Sequence, residues 1–150
     1  MEMNNLFSEL KKQHESLQKL LDLIFLQQTA IINNDVKLLE EILQKESAFF
    51  NEIEMSQRLL ADIIIQLAVK HSIKLKSNNL SDFIESLKSK NEFKLGRLIK
   101  LHESMKDLVY QIIRVNNQNK LLINQAKNFV KELIAIFMRS NKSAILDRKI

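Results

Sequence analysis

Residues Met105–Phe137, MKDLVYQIIRVNNQNKLLINQAKNFVKELIAIF, form an unbroken helical pattern with two asparagines set into its apolar seam. Steps of seven from Leu101 reach Leu108, Val115, Leu122, Phe129 and Ile136, while Leu98, Met105, Ile112, Asn119, Ala126 and Leu133 make the neighbouring row. That alternation is the seam of a helix that needs partners. With no Gly or Pro after Gly96, the stretch spans on the order of 50 Å at about 1.5 Å per residue. Asn119 lies in the seam and Asn116 beside it, where an unpaired buried amide costs roughly 1–3 kcal/mol, so each is expected to find a partner or stay accessible. Two readings follow: a polar layer that fixes register, or a docking groove kept polar because it opens to bind something.

The whole chain carries the same stamp. Its 150 residues hold 45% apolar side chains, no Pro, no Cys and one Gly, which favours long helices in a single domain and leaves little for strands or tight turns. An all-α protein is expected, an elongated antiparallel bundle of three long helices and one short one. Lack of cysteine removes disulfides and thiolate metal sites and fits a reducing cytoplasm. MEMNNLFSEL does not begin as a secretory signal would, and no run approaches the roughly 18 apolar residues of a span; a cytosolic chain without stable membrane insertion is expected. Net charge is +5. Residues 1–68 carry 6 basic against 11 acidic side chains and residues 69–150 carry 17 against 7, so the halves are complementary if they fold back on each other.

In chain order, the first helix is expected over 4–32, with Leu6, Leu10, Leu17, Leu21, Ile24 and Ile31 as its stripe and Gln13, His14 and Gln28 interrupting it. Asn33-Asn34-Asp35 stops that helix and caps the next, which gives a tight helical hairpin over about 4–69. The second helix carries Leu39, Ile42, Phe49, Ile53, Leu60, Ile63 and Leu67 along one face. In His71–Asn79 periodicity lapses, which reads as a mobile linker and hinge within a segment of about 70–88. A short helix from Ser81 to Leu87 takes its capping oxygens from Ser81 and Asp82. Ser89 and Glu92 have the spacing of a capping box, placing the last helix at about 90–138 with a frayed basic tail over 139–150.

Chemistry is scarce. His14, His71 and His102 stand far apart and none has HExxH or ExxH spacing, and one glycine cannot build a phosphate loop or a dinucleotide turn. No catalytic residue, metal site or cofactor is expected, and the chain reads as a non-enzyme. Lysines gather between the long helices, at Lys70, Lys74, Lys76, Lys88, Lys90, Lys94 and Lys100, with Arg97. Only Phe83 and Phe93 are near enough to stack bases, so a solvated face is preferred over nucleic-acid binding.

Asn116-Asn117-Gln118-Asn119-Lys120-Leu121-Leu122-Ile123 matches an Asn-x-x-Asn-x-x-Leu-Leu pattern with Ile123 in place of the last leucine. Asn34-Asp35-Val36-Lys37-Leu38-Leu39 leads into Gln44-Lys45-Glu46-Ser47, with Gln44 where glutamate is usual, and Leu80-Ser81-Asp82-Phe83 starts a short middle helix. In this succession, over nearly its whole length, the chain resembles the FlgN-type flagellar export chaperones. The resemblance implies a cytoplasmic type III secretion chaperone that binds the C-terminal segments of hook–filament junction proteins, keeps them from assembling early and delivers them to the flagellar export apparatus. It assigns Asn116, Asn119, Leu122 and Ile123 to the client-binding helix, a role extended here to Ala126, Phe129, Val130 and Leu133. An amphipathic client helix laid in an apolar groove would complete the bundle, and a second copy could cover the same surface as a homodimer through the last helix. The alternatives are a structural coiled-coil adaptor with a basic anchoring segment and a nonspecific nucleic-acid-binding helical protein.

Overall fold

The computed structural model describes the backbone of residues 2–90 and 95–149, with side chains as far as Arg139. Its elements are α1 (Glu2–Ile32), α2 (Val36–Lys70), α3 (Leu80–Lys88) and α4 (Leu95–Lys149). The architecture is therefore all-α, three long helices and one short.

The α1–α2 hairpin forms where the Asx run demands it. Asn34 takes a left-handed φ of 53°, and Asp35 caps α2 by accepting from the Leu38 N–H at 3.1 Å. The two helices run antiparallel, joined near the end away from the turn by Ser56 Oγ donating to Glu9 at 2.8 Å and by the Lys70–Glu2 ion pair at 3.0 Å. The fourth helix returns alongside α1 and parallel to it. His14 Nε2 and Ser104 Oγ are hydrogen-bonded at 2.8 Å, and Gln28 donates to Gln118 at 3.4 Å, both across 90 residues of sequence. The polar interruptions of the α1 stripe are thus the cross-links to α4. Gln13, expected to weaken the packing, is itself buried.

Leu6, Leu10, Leu17, Leu21 and Ile24 of α1 meet Leu60, Ile64 and Leu67 of α2 on one side and Leu98, Met105, Leu108 and Val115 of α4 on the other. Burying each such side chain stabilises the fold by about 1.5–3 kcal/mol before entropy is charged against it. Helix α1 is the shared wall, on which α2 and α4 both pack along their length. At the base of the molecule, α3 lies across α2 and α4, with Phe83, Ile84 and Leu87 buried beneath it.

Three expectations change. Asn79, not Ser81, caps α3 by accepting from the Asp82 N–H at 2.8 Å, which frees Ser81 Oγ to bond His102 at 3.1 Å. The linker is tied down: Ile73 is buried, and Lys90 Nζ donates to the carbonyls of His71 and Ser72 at 2.7 and 3.2 Å. The last helix continues past Phe137 to Lys149. Ser89 serves as the C-cap of α3. Its proposed capping partner Glu92, like Phe93 and Lys94, lies outside the described residues.

Candidate functional site: the distal half of α4 and the α2–α4 groove

Because α1 and α4 stay in register at an offset of 90 residues, the hairpin ends where α4 has reached about Leu122. Past Ile123 every described α4 side chain is exposed. The seam pattern does not stop there, so the helix carries its packing surface out beyond its partners. Phe129, Val130, Leu133, Ile134, Ile136 and Phe137 stand about half exposed or more, Phe137 at 67%. At about 100° per residue they cover an arc of roughly 160°, broader than contact with one helix requires. Lys127, Lys131, Glu132 and Arg139 occupy the remaining face.

A groove opens between α2 and α4 with α1 as its floor. A cavity lies toward each of its ends. The cavity at the hairpin tip, about 450 Å³, is lined by Ile31, Val36 and Leu39 against Ile123, Ala126 and Val130. Near the base a cavity of about 420 Å³ is lined by Leu17, Ile53, Leu60, Ile64, Met105 and Val109, and the N-terminus of α3 at Asn79–Ser81 closes it. Two seven-residue rows run from one cavity to the other: Val109, Asn116, Ile123 and Val130 on α4, and Val36, Leu43, Phe50 and Gln57 on α2. Gln13 sits in the floor of the base cavity, 2% exposed, and its Oε1 has no partner within the chain.

The eight sequence-expected site residues separate by position along α4. Asn119 is 2% exposed and belongs to the α1–α4 seam, where its Nδ2 donates to the Ile24 carbonyl and to Gln27 Oε1, each at 3.0 Å. Asn116, Leu122 and Ile123 are half-buried, whereas Ala126, Phe129, Val130 and Leu133 are exposed. The tip cavity brings Ile123, Ala126 and Val130 together. The α2 row of Val36, Leu43 and Phe50 was missing from the sequence reading, which followed the face packed on α1. Its signal was an exact seven-residue spacing with a phenylalanine on an otherwise acidic helix.

The described ion pairs gather toward the base of the molecule. Lys70, Lys88 and Lys106 pair with Glu2, Glu85 and Glu103, and the Arg97 guanidinium lies 5.2 Å from the Phe7 ring centroid. Burial, reinforced by Lys106 and partly opposed by Glu103, holds the His102 imidazole below the usual histidine range. Burial alone pushes the Glu46 carboxyl up. Among the described residues no group of three or more His, Cys, Asp or Glu side chains could hold a metal ion, and no helix is long and apolar enough to cross a membrane.

No curated protein and no solved structure matches the chain. The family model described as FlgN protein matches residues 1–146, nearly the whole length. With hairpin, short cross-helix and overlong last helix all inside that match, the chain belongs to the FlgN family of flagellar export chaperones.

Proposed function

We propose that the chain is a cytoplasmic chaperone that holds the C-terminal segments of hook–filament junction proteins on the distal half of α4 and delivers them to the flagellar type III export apparatus. The observation that carries this reading is the apolar arc of Phe129, Val130, Leu133 and Phe137, continuous with the core seam yet exposed among the described residues. A surface of this kind is a docking site for an amphipathic helix. A client segment that orders only on binding pays for its ordering at that moment, which keeps the complex releasable. While it lies on α4 its own assembly surface is covered.

Within this reading the eight residues divide. Ile123, Ala126, Phe129, Val130 and Leu133 meet the client; Leu122 and Asn116 border it; Asn119 acts through the α1–α4 register. Calorimetric titration of the purified chain with C-terminal peptides of the two hook–filament junction proteins tests it. Binding of one peptide per chain at micromolar affinity or tighter is expected, falling at least tenfold in Phe129→Asp/Leu133→Asp. Absence of binding by the folded wild-type chain would instead favour a structural adaptor.

A further inference from the structure

The groove between α2 and α4 has the form of a helical bundle lacking its fourth member. Its floor is α1, its walls are α2 and α4, and α3 already fills the fourth position at the base, ending the slot with its N-terminus. From Met105 at that end to Val130 at the tip cavity, the α4 wall measures about 37 Å at about 1.5 Å per residue. The overhang of α4 beyond Ala126, residues 127–149, is about 35 Å long by the same rise. Its described apolar arc is wide enough to be packed from three sides, as a slot with a floor and two walls requires.

We propose that the slot is filled by the distal α4 of a second copy, each chain inserting its overhang into the other, so that both ends of the dimer become four-helix bundles. A chain cannot fill its own slot, because α4 has no Gly or Pro after Gly96 at which to turn back. Reciprocal insertion about a two-fold axis closes the assembly and leaves no apolar end to propagate. Each overhang enters at the partner's hairpin tip, runs antiparallel to the partner's α4 and ends toward its α3. Charge favours the match: residues 36–54 of α2 carry five glutamates against two lysines, whereas residues 127–139 carry three basic side chains against Glu132. The contact is of ordinary interface size, about 20–30 residues a side. Its consequence for client loading, that client and second copy compete for one helix, rests on the function proposed above; the association itself does not.

The experiment therefore contains no client. Sedimentation velocity of the full chain across micromolar concentrations should give a species of twice 17.6 kDa. Leu43→Asp/Phe50→Asp alters only the slot wall and Ile134→Asp/Phe137→Asp only the inserted helix; all four side chains are exposed in the single chain, and circular dichroism confirms that both variants keep their helices. Each variant alone should sediment as a monomer. Mixed one to one they should associate, since one supplies an intact slot and the other an intact overhang. A wild-type chain that stays monomeric throughout overturns the proposal. So does a dimer that the overhang variant dissolves and the slot variant does not, because that interface would pair α4 with α4 outside the groove.

Discussion

Asn119 shows how one polar side chain can set the position of a helix. Sliding α4 along α1 by a turn would carry Asn119 away from Gln27 and the Ile24 carbonyl and leave buried donors and acceptors unmatched, each costing about 1–3 kcal/mol. The register this fixes determines how much of α4 overhangs the hairpin. Asn119→Ala should lower unfolding stability in urea by about 2 kcal/mol, since it strands Gln27 Oε1, which is 7% exposed with its residue. Adding Gln27→Leu should recover part of that loss, because the stranded acceptor is then removed as well. A double variant whose loss equals the sum of the single losses would mean that the two amides do not act as a pair. The sequence places Asn119 in a seam, but only the structure separates its structural role from that of Asn116, a half-buried neighbour in the groove row.

Elements were legible where their causes are local. The Asx turn, the α2 cap and the core rows of α1 and α4 follow from residue type and spacing alone. The face of α2 that meets α1 was legible as well, in Ile42, Leu60 and Leu67; what could not be read was that a second row through Phe50 looks into a groove, since its residues pack on nothing within the hairpin. Nor could the cap of α3 be chosen between Asn79 and Ser81 without knowing that His102 claims the serine. That pairing has a pH dependence. His102 is held below its ordinary value of about 6.5, so the unfolded chain binds its proton more readily than the folded one. Stability from this residue is therefore full above about pH 6.5 and is lost as pH falls below it. The ring is only half-buried, so solvent screens it and the loss is small, as it is for surface charges. Urea unfolding at pH 7.5 and 5.5 should show that difference in the wild type and not in His102→Gln; an unchanged pH dependence in the variant would remove His102 from the account. Glu46 works in the other direction and nearer its own range, since its raised pKa makes protonation relieve a burial penalty as pH falls.

At the scale of the whole molecule, stability is unevenly distributed along one continuous helix. From Leu98 to Asn119 α4 is locked against α1 by buried Met105, Leu108 and Val115. Beyond Ile123 its described side chains are exposed. Continuing a formed helix needs no new nucleus, but propagation adds little per residue and most helical stability comes from packing, so the distal segment opens easily from its free end. The apolar surface that suits the distal segment to a partner therefore also leaves its helicity dependent on one. Hydrogen exchange should record this as a step: in dilute single chains, amides of residues 98–119 exchange only through global unfolding, while those of residues 127–139 exchange orders of magnitude faster through local opening. Raising the concentration until chains associate, or adding a client segment, should slow exchange over 127–139 and leave 98–119 almost unchanged. Equal protection along all of α4 in the isolated chain would mean that the distal helix is stable by itself, and partner binding would then have to draw on preformed surface, with no ordering of the helix to oppose it.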